Sequence, residues 1–221
     1  MQLFDIFTVW LGAFSICFTF LPLMMVLDWR KRGTADGFSS VNFVLPMLIQ
    51  SCWLRHGFMT NDNTNIIINS LNLVFFVFYI SAFAYYQPKR KYLVFQLIAA
   101  ALTVKLIYSY VDSFEDDKKA DAMGSMAAGA QIFGLAGGIY EIKRAISMGT
   151  TEYIPAQFQF ALFTLIVQWL IFGIVSGNQF IAIANAAGLL VNIATIALYF
   201  IYPPLTWTVP IFKIKPKSKK E

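Results

Sequence analysis

Apolar residues along this chain run in long, nearly unbroken stretches separated by short polar breaks, not in the two-residue alternation of strands. A helix needs about 20 residues to cross the hydrocarbon layer of a bilayer. Seven stretches meet that length: 6–27, 41–59, 65–86, 92–112, 123–144, 156–175 and 180–202. The pattern predicts an all-α integral membrane protein with seven transmembrane helices. A β-barrel would require alternation, which is absent. The first stretch resembles a signal peptide only superficially: no basic residues precede it, and its apolar run reaches Leu27. It is expected to be a transmembrane helix.

The chain also matches itself at an offset of 116 residues. Gly33 and Thr34 fall on Gly149 and Thr150, Trp53 and Leu54 on Trp169 and Leu170, and Gly57 on Gly173. Asn69 falls on Asn185, Leu73 on Leu189, and Tyr86 and Pro88 on Tyr202 and Pro204. Two three-helix repeats are expected, over 1–88 and 117–204. The 89–116 segment supplies a linker helix and an outer acidic loop, and 205–221 a basic tail. Three spans invert the chain and the linker inverts it again, so both repeats share one orientation, as two parallel bundles in a 3+1+3 plan.

Composition agrees: 58% of the 221 residues are hydrophobic and 13% charged, with mean hydropathy +0.62. A soluble domain carries roughly 25% charged residues. The net charge of +5 would suggest a nucleic-acid partner in a soluble protein. Here thirteen of the seventeen Lys and Arg residues cluster in alternate loops and the tail: Arg30–Arg32, Lys89–Lys91, Lys143–Arg144, Lys213, Lys215, Lys217, Lys219 and Lys220. That bias places those loops and the C-terminus in the cytoplasm and the N-terminus outside or in a lumen. Asp112, Glu115, Asp116, Asp117 and Asp121 are expected to form a solvated acidic turn on the outer side. Lys105, in the outer half of span four, can snorkel outward. Cys17 and Cys52 lie in apolar stretches and read as packing residues.

Trp53 with Asn69, and Trp169 with Asn185, recur in the two repeats at the same spacing. Tryptophan can anchor a helix at the membrane interface and asparagine can link helices. Their joint recurrence favours a shared site, with two indoles and two carboxamides near the axis between the repeats. Indoles suit the apolar faces of a pyranose, and carboxamides offer donors and acceptors to its hydroxyls. Pro22 and Pro155, with Gly137 and Gly138 in span five, are candidate bending points. Glycine also permits close helix packing, and Pro155 fits a first helical turn. His56 and Asn178 are candidate outer-gate residues. The spans are poor in carboxylates and histidine, so uniport without proton coupling is expected. No nucleophile–base pair or metal cluster is visible, so no enzyme and no cofactor is expected.

The motifs WLRHG and NIIINSLNLVFFVFYI in the first repeat, and GTTEYIP, QWLIFG and FIAIANAAGLLVNIATIALY in the second, resemble the SWEET sugar transporters of the MtN3/saliva type over nearly the whole chain. The resemblance implies a bidirectional sugar facilitator. It assigns the binding pocket to Trp53, Asn69, Trp169 and Asn185. Of the family's four hinge prolines, Pro22 and Pro155 match; the span-five position is Gly138. The span-two position is Asn42, with Pro46 one turn away. The family's Tyr–Asp outer gate falls on His56 and Asn178. Homo-oligomers, membrane lipids and either the plasma membrane or a Golgi or endomembrane location are consistent with it. Other readings are a PQ-loop type cargo receptor or adaptor, which would carry a charged luminal pocket, and a seven-span receptor, whose signalling triplet is missing from QPKRKY after span three.

Overall fold

The computed structural model describes residues 3–216; Lys217, Lys219 and Lys220 lie outside the described residues. Among those described, the chain forms nine helices: α1 Leu3–Thr19, α2 Leu23–Arg32, α3 Val41–Thr60, α4 Asn63–Tyr86, α5 Lys91–Asp112, α6 Asp116–Gly134, α7 Ala136–Met148, α8 Ala156–Val175 and α9 Gln179–Ile201. Six helical runs are long and apolar enough to cross a membrane: Leu3–Arg32, Asn63–Tyr86, Lys91–Asp112, Asp116–Met148, Ala156–Val175 and Gln179–Ile201. Helix α3 has the length, at 20 residues, but Asn42, Gln50, Arg55 and His56 make it more polar.

Two of these runs are broken. Pro22 has no N–H to give the Phe18 carbonyl, so the chain tightens between α1 and α2. The amides of Phe20, Leu21 and Leu23 bond three residues back, to Cys17, Phe18 and Phe20. The Thr19 carbonyl released by this shift accepts the Tyr79 hydroxyl at 2.7 Å. The run Asp116–Met148 breaks at Leu135, whose amide likewise bonds three residues back, to Ile132.

The expected acidic turn is instead mostly helix. Asp116, Asp117 and Asp121 lie within α6, and only residues 113–115 separate it from α5. Carboxylates are favoured in a first helical turn, where they face unpaired amides and the positive end of the dipole. Lys119 pairs with Asp116 at 2.6 Å, and Lys118 pairs with Glu115.

The chain divides into two compact units, Met1–Ala130 and Gln131–Glu221. In the first, α4 packs against α1, α2 and α3, and α3 also against α5. Trp29 is fully buried, edge-on to Phe38, Phe43 and Phe83 with ring centroids 5.4–5.7 Å away. In the second, α9 packs against α7 and α8.

The units share local geometry at the 116-residue offset. Gly33 and Gly149 end α2 and α7 in the left-handed region, at φ 70° and 64°. The Ala35 amide bonds the Tyr86 carbonyl at 3.1 Å, and the Thr151 amide the Tyr202 carbonyl at 3.0 Å. Asp62 caps α4 by accepting from the Asn65 amide, as Asn178 caps α9 by accepting from that of Ile181. At Gly57 and Gly173 the partner helix of each pair, α4 and α9, comes close: a Cβ there would lie 3.2 Å from Ile66 and 2.6 Å from Ala182.

Beyond α9 the chain turns back on the second unit. Glu152 accepts hydrogen bonds from the Leu205 and Thr206 amides and from the Thr206 hydroxyl. Its backbone carbonyl accepts the Trp207 indole N–H at 3.2 Å. Val209 and Ile214 form an antiparallel bridge, and Val209 is fully buried against Ala145, Ile154, Ala156, Leu198 and Tyr199. The Thr206 hydroxyl is the main cause holding the Glu152 carboxyl below the usual glutamate range; lost hydration raises it, and the two amides lower it again.

Two predictions follow from this packing. A Cβ at Gly173 would sit 2.6 Å from the Ala182 backbone nitrogen, whereas one at Gly57 meets nothing nearer than the Ile66 side chain at 3.2 Å. Gly173→Ala therefore forces two backbones apart and costs about 1–3 kcal/mol, as overpacking does. Gly57→Ala costs less, because the nearest backbone atom, the Ile66 nitrogen, lies 3.3 Å away rather than 2.6 Å and alanine favours helix. Thermal unfolding in micelles should show a lower Tm for Gly173→Ala than for Gly57→Ala. For Glu152, a carboxyl depressed in the folded state stabilises above its unfolded pKa of about 4.3. That contribution is lost as pH falls through the lower folded value. Hydrogen exchange at the Leu205 and Thr206 amides should show constant protection from neutral pH to about 5 and loss of it below about 4; equal protection at both ends would contradict the clasp.

Candidate functional site

Helix α4 carries Asn65, Asn69 and Asn72 at spacings of four and three, which places them on one face. All three are buried. Asn69 donates through Nδ2 to the Asn65 carbonyl at 2.8 Å and to the Asn65 side-chain oxygen. Asn72 accepts the Thr19 hydroxyl at 2.6 Å through Oδ1. The break after α1 is thus tied twice to α4, through the hydroxyl of Thr19 to Asn72 and through its carbonyl to Tyr79. Trp53, on α3, is 6% exposed and stands edge-on to His56 at 5.8 Å.

The second unit repeats the theme. Asn185 is buried on α9 and donates through Nδ2 to the Ile181 carbonyl at 2.8 Å. Trp169 is half-buried on α8 and stands edge-on to Phe172 at 5.5 Å. Phe172 takes the place that His56 holds in the first repeat. Both asparagines therefore anchor one amide N–H to the carbonyl one turn back. Among the described residues no hydrogen bond engages Oδ1 of either, so each keeps an oriented acceptor oxygen. Each unit holds its own Trp–Asn set.

The hinge candidates are placed as follows. Pro22 lies at the α1–α2 break, with φ −64° and ψ −14°. Gly137 and Gly138 lie inside α7, and the break in that run is at Leu135, just ahead of them. A Cβ at Gly138 would lie 3.0 Å from the Val191 side chain of α9. Pro155 precedes α8 with extended backbone, ψ 115°. Pro46 lies within α3. It supplies no N–H to the carbonyl four residues back, which is that of Asn42, so these two candidates are the two ends of one missing helical hydrogen bond.

The gate candidates differ in kind. Asn178 caps α9. His56 is 1% exposed, and its Nδ1 lies 3.1 Å from the Ala120 carbonyl of α6.

Sequence reasoning missed the partners of this framework. Arg55 pairs with Asp112 at 2.5 Å and lies over the Tyr108 ring at 4.2 Å, while the Tyr108 hydroxyl donates to the Ser51 carbonyl. These contacts clasp α3 to α5. Asn192 donates through Nδ2 to the Gln159 side-chain oxygen at 2.8 Å, linking α9 to α8. The spacing of Asn65, Asn69 and Asn72 was a readable signal. The Arg55 and Gln159 pairings, between residues far apart in sequence, were not.

The family model described as sugar efflux transporter for intercellular exchange matches residues 5–91 and 121–206. The sugar transporter SWEET1 of Drosophila pseudoobscura pseudoobscura is 24% identical over 208 residues, covering 92% of each chain. The bidirectional sugar transporter SWEET12 of Oryza sativa subsp. japonica is 23% identical over 177 residues, covering 78% of this chain and 59% of that one. A solved structure of a eukaryotic SWEET transporter superposes with a TM-score of 0.79 at 19% identity, over 91% of this chain and 99% of the other. The fold is that of this transporter. The chain belongs to the MtN3/saliva family of sugar efflux transporters for intercellular exchange.

Proposed function

We propose that this protein carries small sugars, mono- or disaccharides, passively and in both directions across a membrane by alternating access. The observation that carries the reading is the paired Trp–Asn set. Each repeat supplies one indole and one carboxamide, and both carboxamides are fixed by the same 2.8 Å bond to the carbonyl one turn back. A neutral polyol needs hydroxyl partners and an apolar face, and these side chains offer both without charge. The names of the relatives, sugar transporters in an insect and in rice, support the same substrate class.

In this reading the helices follow the 3+1+3 plan, with repeats over 1–88 and 117–204, α5 as linker, the N-terminus outside or lumenal and the C-terminus cytoplasmic. The break at Pro22 and that at Leu135 supply matching points of bending, near the start of the second half of each repeat's first span. The buried carboxamides favour uniport over proton coupling, since they do not exchange protons. The protein acts as a transporter and not as an enzyme. A passive carrier has to release what it binds, so sugar affinity is expected near millimolar, about −4 kcal/mol.

Counterflow of labelled glucose and sucrose in liposomes containing the purified protein tests this. Flux of either sugar is expected, insensitive to an imposed pH gradient. Asn69→Ala and Asn185→Ala should each reduce it at least about tenfold, which corresponds to losing about 1.4 kcal/mol of interaction. Normal flux in both variants would remove these residues from the site. Flux that rises steeply with the proton gradient would overturn uniport.

A further inference from the structure

The two repeats close their ends differently. In the first, the indole of Trp29 comes from α2 and packs edge-on to Phe83, with centroids 5.4 Å apart at 75°. The residue equivalent to Trp29 at the 116 offset is Ala145, and that equivalent to Phe83 is Tyr199. An alanine cannot fill an indole's volume. Yet Ala145 is only 3% exposed and Tyr199 is fully buried. The missing ring arrives from elsewhere: Trp207, beyond α9, stands edge-on to Tyr199 at 6.1 Å and 69°. It also makes the hydrogen bond its counterpart lacks. The Trp207 N–H reaches the Glu152 carbonyl, whereas Nε1 of Trp29 is buried without a partner.

The segment that brings Trp207 is clasped at one end and strained at the other. Glu152 holds Leu205 and Thr206, while Val209 and Ile214 pair across a tight turn. Within that turn Ile211 has φ 68° and Lys213 φ 52°. The Phe212 amide closes a three-residue turn onto the Pro210 carbonyl at 2.8 Å, a strained form of turn. A β-branched residue avoids positive φ, so surrounding contacts must hold it there. Phe212 supplies such contacts, lying 5.6 Å from Phe160 and 4.9 Å from Phe200. The first repeat has no such segment: its equivalent residues, Lys89–Lys91, lead directly into α5.

We propose that residues 205–214 form a strap that completes the core of the second repeat, with Trp207 standing in for the indole that Ala145 cannot supply. Glu152 is the positioning residue that seats it. The strap touches α7 through Ala145, α8 through Ala156 and Phe160, and α9 through Leu198 and Tyr199. It thereby bolts the ends of three helices into one body. Its contribution to flux rests on the transport reading above; its contribution to packing does not.

A volume swap tests the packing in the full-length purified protein. Ala145→Trp alone overfills the site and lowers Tm, and Trp207→Ala alone empties it and lowers Tm. The double variant, with its indole on α7 as in the first repeat, is expected to melt above both. A double variant no better than the worse single one overturns the proposal; should Trp207→Ala not fold, recovery of folded protein in the double variant gives the same answer. Seating is read by maleimide labelling of Ala145→Cys in a Cys17→Ser background. The thiol is expected to react slowly under the intact strap and at least about tenfold faster after Glu152→Gln, with protection restored by Glu152→Asp, because local opening sets access. Equal reactivity with and without Glu152→Gln overturns the role of Glu152. In liposomes the same Glu152→Gln should lower the maximal counterflow rate roughly tenfold with KM unchanged, since the sugar contacts are intact. A raised KM at constant maximal rate would count against a positioning role. If the swap and labelling behave as expected but the unmodified protein moves no sugar, the strap stands and the transport reading falls.

Discussion

Inside hydrocarbon, a backbone amide or carbonyl without a partner costs several kcal/mol, and this demand governs where the chain can bend. Pro22 withholds a donor from the Phe18 carbonyl. The structure answers with three amides that shift to partners three residues back, and with the Tyr79 hydroxyl on the freed Thr19 carbonyl. The Thr19 side chain then binds Asn72, three residues beyond Asn69. The bend and the carboxamide of the candidate site therefore share one hydrogen-bonded framework on α4. A change of geometry at the break reaches the Asn69 face through two direct bonds, with no longer chain of contacts required.

Much of this was legible because the chain states it twice. Gly33 and Gly149 could be matched on sequence, and both adopt the left-handed conformation that ends a helix. Trp53, Asn69, Trp169 and Asn185 were found by recurrence, and the structure gives both asparagines the same bond to their own helix. Helix ends adjacent to charge were harder. Asp116, Asp117 and Asp121 read as a loop by polarity, yet they form the start of α6, since a first turn accepts carboxylates that an apolar pattern cannot reveal. The helix break falls at Leu135, just ahead of the candidate bending points Gly137 and Gly138. Those glycines are helical, and a Cβ at Gly138 would come within 3.0 Å of the Val191 side chain. Periodicity reports which face is apolar; it does not report which glycine is needed for closeness and which for freedom.

Long-range polar pairing was the least legible. Arg55 counted toward topology as one cation among seventeen, but its guanidinium is shared between Asp112 and the Tyr108 ring. Glu152 was visible only as one letter of GTTEYIP. Its partners lie more than fifty residues on, after a complete helical hairpin, and their choice depends on α8 and α9 returning the chain to its starting level. Asn178 shows the converse: a residue expected at a gate is engaged in capping, and its counterpart Asp62 does the same in the first repeat. Such caps satisfy a first-turn amide where a helix starts at an aspartate or asparagine after a left-handed residue, here Asn61 and Gly177.

The repeats are alike where ligand chemistry is expected and unlike where their ends are held. The first has a proline at its break and closes its end with the Trp29 indole of α2; the second has no proline at its break and alanine in place of that indole, and takes the closing ring from beyond α9. Duplication supplies a Trp–Asn set in each unit, with both asparagines bonded to the carbonyl one turn back. It supplies no reason for equal stiffness. The first unit seals its end with residues already committed to α2, α3 and α4, so that seal cannot part without disturbing those helices. The second is sealed by a segment on a strained turn, held by the Glu152 carboxylate and by the packing of Trp207, Val209 and Phe212. Of two ends that look equivalent in sequence alignment, the one closed by a separable strap is the one that can loosen with its helices intact.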